Sequence, residues 1–193
     1  MSLDLETLLD RCRQGDALAW EALVRQMQAR VHGLAMHYLR DREEARDAAQ
    51  DIFIRLYERL DQFVGSETFI PWLLRLTRNA CIDRIRRRRA RPPAFDIPAD
   101  EHLELSSDQP DPHEVWGTGQ RRRLLVAALN QLPRPSREVV ILKDIYGLSL
   151  EEVAALLEIP VGTVKSRSSR ARLELARQMR GPDADPLLPG PVQ

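Results

Sequence analysis

Along the first half of the chain, apolar side chains recur three and four positions apart, the spacing that puts them on one side of a helix. Residues 3–13 predict a short first helix. Asp16 is a cap for a long second one that runs to about Leu39. Asp41 caps a third, where Ala45, Ala48, Ala49, Ile52, Phe53, Leu56, Tyr57 and Leu60 form the inward stripe. Gly65 and Ser66 interrupt the pattern. A fourth helix starts near Thr68, with Pro71 tolerable only in its first turn. Its apolar side is Trp72, Leu73, Leu76, Ala80 and Ile85, and it runs out into arginines.

The pattern resumes later. Residues 119–131 carry Leu124, Leu125, Ala128 and Leu129 and give another helix signal. Ser136 caps a helix expected to reach Tyr146, with Gly147 as its stop. Ser149 and Glu152 have capping-box spacing before Leu150, Val153, Ala154 and Leu157. Ile159-Pro160 forces a turn, and a last helix begins near Val161. Few alternating β-branched runs occur. The expected fold class is therefore all-α, with two small helical domains joined by a flexible acidic linker. The boundaries are 1–91, a linker over 92–118, a second domain over 119–180 and a disordered tail over 181–193.

Charge sharpens this division. Lys+Arg and Asp+Glu are both 29, so the formal net charge is zero and a uniformly basic nucleic-acid coat is excluded. The sum hides segregation. Arg84, Arg86, Arg87, Arg88, Arg89 and Arg91 crowd the end of the fourth helix. Residues 92–120 then hold no Lys or Arg but seven acids, from Asp96 to Glu114, among five prolines. No apolar run approaches the roughly 18 residues of a membrane span. The acidic N-terminus lacks the basic and apolar regions of a secretory signal. Cys12 and Cys81 have neither disulfide-scaffold nor zinc spacing, and a reducing cytoplasm is the simplest compartment.

The candidate chemistry is binding. Residues 149–179 read as a capped short helix, a tight turn and a longer basic helix, which is a helix-turn-helix. Val164, Ser168, Ala171 and Leu175 fall on its inward face. Thr163, Lys165, Ser166, Arg167, Ser169 and Arg170 fall elsewhere and have the types that meet base edges and phosphates in a major groove. Gly162 and Thr163 lie at the helix N-terminus, whose N–H groups favour a phosphate. The alternative is a solvated basic helix.

On the fourth helix, Arg75, Arg78, Asn79, Asp83 and Arg84 continue into the arginine run, a composition suited to DNA along a helix face. Taken alone, such a run is more often a solvated helix end than a specific site. The polar loop Asp61–Glu67, with Phe63 and Ser66, has the character of a pocket for an unstacked base. The third helix turns Glu44, Asp47, Gln50, Asp51, Ile54, Arg55 and Glu58 outward, which is either a plain solvated face or a protein-docking face. No catalytic pattern, metal-ligand spacing or cofactor motif stands out, and the four histidines are scattered.

These strings together resemble the extracytoplasmic-function (ECF) sigma factors of the sigma-70 family, over about residues 5–180. In the first domain they are GDALAWEALV (15–24), EEARDAAQDIFIRLY (43–57) and FIPWLLRLTRNACIDRIRRRR (69–89). In the second, ALNQLPRPSREVVILKDIYGLSLEEVAALLEIPVGTVKSRSSRARLEL (128–175) matches. The resemblance implies a sigma region 2 type domain and a sigma region 4 type domain. It implies that Asp47, Gln50, Asp51, Ile54 and Glu58 dock on the β′ clamp helices of core RNA polymerase. It implies melting and capture of the promoter −10 element by Phe63, Ser66, Arg75, Arg78, Asn79, Asp83, Arg84, Arg86, Arg87 and Arg88. It assigns reading of the −35 duplex to Gly162, Thr163, Lys165, Ser166, Arg167, Ser169 and Arg170. The linker would thread near the polymerase active site, and a separate anti-sigma factor would hold the protein inactive. No cofactor is implied. The chain departs from the family pattern at Arg46, which reverses a charge in the clamp-binding helix, and at Ser168, where a bulky aliphatic is usual. Against this stand an operator-binding dimeric regulator, which would bind duplex without polymerase, and a purely protein-binding helical module.

Overall fold

The computed structural model describes residues 4–63, 68–90 and 115–179. Among them every regular element is helical. They fall into two compact units that divide between Ser106 and Ser107.

The first unit contains α1 (Leu5–Arg13), α2 (Ala17–Leu39), α3 (Arg42–Arg59) and α4 (Phe69–Ala90). The boundaries have local causes. Asp16 accepts from the N–H groups of Leu18 and Ala19 at 2.9 and 3.1 Å and is clamped by Arg11. Asp41 accepts from the N–H of Glu44 at 2.7 Å. Between α2 and α3 the chain reverses through Arg40 at φ 56, whose N–H reaches the Met36 carbonyl. Helix α2 packs against the other three. Leu23, Met27, Val31 and Leu34 of α2 are buried with Leu8, Leu9, Ile52, Leu56, Phe69 and Leu73. Burial of this kind contributes about 1.5–3 kcal/mol for each large side chain.

Two expectations change here. Tyr57 is not in the core. It is 65% exposed and meets Trp20 edge-on at 5.1 Å between ring centres. On α4 the buried stripe includes Leu74, Thr77 and Cys81, while Trp72, Leu76 and Ile85 are half-buried. α4 packs against both α2 and α3, which draws in a wider stripe than one partner would. Thr77 fits there because its hydroxyl donates to the Leu73 carbonyl at 2.8 Å.

The second unit contains α5 (Val115–Gln131), α6 (Arg134–Val140), α7 (Leu150–Leu157) and α8 (Val161–Met179). α5 starts at Val115, inside the stretch that composition assigns to the linker. The rest of that stretch, residues 92–114, and the tail from 180 lie outside the described residues. Ser136 is not the cap of α6. Pro133 holds that position, and its carbonyl accepts from Ser136 and Arg137 at 2.9 and 3.0 Å. The fixed φ of Pro135 suits the first turn and overrides the serine. After Val140 the helix widens into a π turn, Ile141–Ile145, before Gly147 ends it at φ +77. Ala128, Leu129, Leu132, Val140, Ala171 and Leu175 make one core cluster.

Candidate polymerase and nucleic-acid interfaces

In the second unit the local sequence builds the helix-turn-helix. Ser149 accepts from the Glu152 N–H at 3.1 Å while the Glu152 carboxylate accepts from the Ser149 N–H at 2.7 Å, a complete capping box. α7 ends at Glu158, held at φ 58, and the Pro160 carbonyl accepts from Thr163 and Val164 to start α8. Val164, Ser168, Ala171 and Leu175 are buried, as their spacing predicts.

The outward residues of α8 divide. Gly162, Lys165, Ser166, Ser169 and Arg170 are exposed. Thr163 and Arg167 are half-buried, one hundred degrees or more around the helix from Lys165 and Ser169. Two of these residues also bond within the helix: the Ser166 hydroxyl donates to the Thr163 carbonyl at 3.0 Å, and the Arg170 Nε to the Ser166 carbonyl at 3.3 Å. Sequence reasoning missed Arg172 and Lys143. With Lys165 and Ser169 they line a shallow groove of about 370 Å³ whose apolar wall is Leu150 and Leu173. The i, i+4, i+7 spacing of Lys165, Ser169 and Arg172 was a usable signal. Lys143 arrives by tertiary packing and had none. Arg172 grips Asp144, its Nε donating at 3.1 Å, and Lys143 lies 3.4 Å from the same carboxylate. Partial burial pushes the Asp144 carboxyl up, but the two cations outweigh it and hold it below its ordinary range.

In the first unit the candidate docking face is exposed. Asp47, Gln50, Asp51, Ile54 and Glu58 all reach solvent, with Ile54 59% exposed. Tyr57 belongs to the same outward face. An apolar centre ringed by acids is the composition of a protein-docking patch.

The candidate −10 residues do not form a single face. Arg75, Asn79, Asp83 and Arg86 share one exposed side of α4, and Asp83 lies 3.7 Å from Arg86. Arg78 is half-buried and Arg87 exposed. Arg84 and Arg88 lie on the side toward α3. Arg84 pairs with Asp51 and donates to the Glu44 carbonyl at 3.4 Å, and Arg88 lies 3.3 Å from the Glu44 carboxylate. Phe63 is not a free platform for a base. It is 7% exposed, packed on Phe69 and Trp72, and its carbonyl accepts from Arg13 at 2.7 Å. An aromatic flanked by two others gains more by closing the core than by facing water. Ser66 lies outside the described residues. Among the described residues no cluster of His, Cys, Asp and Glu has the arrangement of a metal site. No described helix is long and apolar enough to cross a membrane.

A helical unit with an acidic, apolar-centred face, followed by one that presents a basic helix-turn-helix, defines a two-domain DNA-binding transcription protein. The sequence matches the Sigma-70 region 2 family over residues 23–91 and the Sigma-70 region 4 family over residues 122–175. It is 32% identical over 172 residues to the RNA polymerase sigma-H factor of Pseudomonas aeruginosa, covering 86% of this chain and 89% of that protein. Identity to the ECF RNA polymerase sigma-E factor of Escherichia coli K12 is also 32%, over 86% of this chain and 90% of that one. The fold is shared with CnrH, solved in complex with the cytosolic domain of CnrY (TM-score 0.61, 24% identity, 93% of this chain and 99% of that one). It is shared equally with Bartonella quintana RpoE, solved with the anti-sigma factor NepR (TM-score 0.62, 23% identity, 84% and 97%). The chain belongs to the ECF sigma factors of the sigma-70 family. It is a transcription initiation factor, not an enzyme: it binds core RNA polymerase and directs it to promoter DNA.

Proposed function

We propose that the two units divide the work of promoter selection. α3 docks on the β′ clamp helices through Ile54, with Asp47, Gln50, Asp51 and Glu58 around it. α4 meets the melted −10 element along Arg75, Asn79 and Arg86, with Arg78, Arg84, Arg87 and Arg88 adding phosphate contacts. α8 enters the major groove of the −35 duplex with Gly162, Lys165, Ser166, Ser169 and Arg170, while Thr163 and Arg167 meet the flanking backbone. The observation that supports this most is the separation of chemistry. An acidic docking face and a basic stripe share the first unit, and a capped helix-turn-helix with a basic outer side makes the second. Duplex reading needs a helix in the groove, and single-strand capture needs cations beside a pocket.

The protein works in the cytoplasm, where core polymerase acts. A separate anti-sigma factor holds it inactive by covering the same faces; the Bartonella relative was solved in complex with its anti-sigma factor NepR.

The test is reconstitution with sigma-free bacterial core polymerase and run-off transcription from a library of the host's promoters. A one-to-one complex and start sites that align on two upstream elements are expected. Ile54→Glu should weaken assembly at least tenfold without changing the melting temperature, since Ile54 is exposed. Tight duplex binding by the protein alone, with no complex with core, would replace this with an operator-binding regulator.

A further inference from the structure

The residues assigned to two different partners hold each other. α3 supplies Asp51 and Glu44, from the polymerase-docking side. α4 supplies Arg84 and Arg88, two of the arginines assigned to DNA, which lie on its side toward α3. They meet as two rungs: Arg84 with Asp51, and Arg88 with Glu44 at 3.3 Å. The low-numbered acid meets the high-numbered arginine, as antiparallel helices require. Arg84 also reaches the Glu44 carbonyl at 3.4 Å, so it spans both rungs.

We propose that this ladder is an internal competitor for DNA. In the free protein the α3 carboxylates occupy two arginines of α4 and repel incoming phosphate. Docking of α3 on a cationic partner surface engages those carboxylates and releases Arg84 and Arg88 to the promoter backbone. The idea rests on α3 as the polymerase-docking helix and α4 as a DNA-binding helix.

Three observations support it. First, all four side chains are solvent-accessible, from 29% for Arg84 to 50% for Asp51 and Arg88. Pairs so exposed are weak and open readily, which suits an exchange of partners. Second, a carboxylate and a phosphate offer a guanidinium the same forked acceptor geometry, so one replaces the other without moving the helix. Third, Asp51 lies one turn from the exposed Ile54, so a partner seated on Ile54 reaches it directly. Linkage then makes the effect reciprocal: core polymerase raises affinity for DNA, and DNA raises affinity for core by the same factor.

The experiment uses the full chain without polymerase. A fluorescein-labelled DNA of random sequence, part duplex and part single strand, is titrated by anisotropy at several salt concentrations. The ladder-neutral Glu44→Gln/Asp51→Asn variant is expected to bind about three- to tenfold more tightly than wild type at low salt. Its plot of log affinity against log salt should steepen by about 0.7–0.9 for each released arginine. Adding Arg84→Ala and Arg88→Ala to that variant should abolish both gains. A gain that survives loss of the two arginines reflects net charge alone and overturns the proposal, as does an unchanged slope. Arg87→Ala, outside the ladder, separates this from failure of the underlying assignment. If Arg87→Ala, Arg84→Ala and Arg88→Ala all leave DNA binding unchanged, α4 is not a DNA-binding helix, and the ladder falls with it.

Discussion

Arg137 is charged yet only 5% exposed, and its position explains why. Its guanidinium donates to the carbonyls of Asn130 at 2.6 Å and Leu132 at 3.1 Å, which are left without helical partners where α5 ends. Arg137→Ala should therefore cost about 2–3 kcal/mol, read as a lower urea midpoint, because it strands buried acceptors rather than a surface charge. Asp144 makes a smaller contribution, and one that depends on pH. Its folded carboxyl titrates below the ordinary 3.8, so its stabilisation is full above that value and fades as pH falls through the depressed one. Asp144→Asn should cost about 0.5–1 kcal/mol at pH 7 after allowance for the exposure of Arg172. The gap to wild type should narrow below about pH 4. A gap that stays constant down to pH 3 would mean that Asp144 acts through packing and not through charge. No local pattern in the sequence marks either residue, since each draws its role from a partner in another element.

At the scale of elements, what was legible is what acts locally. Asp16, Asp41 and Ser149 cap their helices because a short polar side chain reaches an N–H two or three residues ahead. The buried stripe Val164, Ser168, Ala171 and Leu175 follows from helical spacing alone. Ser136 failed because a proline pair upstream set the helix start first. Phe63 failed because its neighbours Phe69 and Trp72 come from the next helix. The division of the α4 arginines was not legible at all. Their acidic partners lie 33 and 44 residues away, on a helix whose rotation against α4 no local pattern encodes. One further local feature carries a prediction. Glu158 closes α7 at φ 58, where a β-carbon crowds the following carbonyl. Glu158→Gly should relieve that strain and stabilise the turn into α8 by about 0.5–1 kcal/mol, raising the melting temperature by a few degrees. An unchanged or lowered melting temperature would show that the glutamate side chain offsets the strain through its own contacts.

At the scale of the whole molecule, the charge balances at 29 cations and 29 anions. With no net charge to attract DNA at long range, the free protein should hold DNA weakly and with strong dependence on salt. Each unit has its own set of buried apolar side chains. Changes to their faces should then act independently. On the proposed assignment, Ile54→Glu should remove docking energy in the first unit. On the same assignment, Arg170→Ala should lower transcription about tenfold while leaving core affinity unchanged. For sites that share no partners, free energies add to within about 0.5 kcal/mol, so the two fold-losses should multiply to within roughly twofold. Run-off transcription at sub-saturating protein measures this directly. A double variant no worse than the weaker single one would mean that docking and duplex reading are one cooperative event. The seat of specificity would then move from the individual faces to the coupling between them.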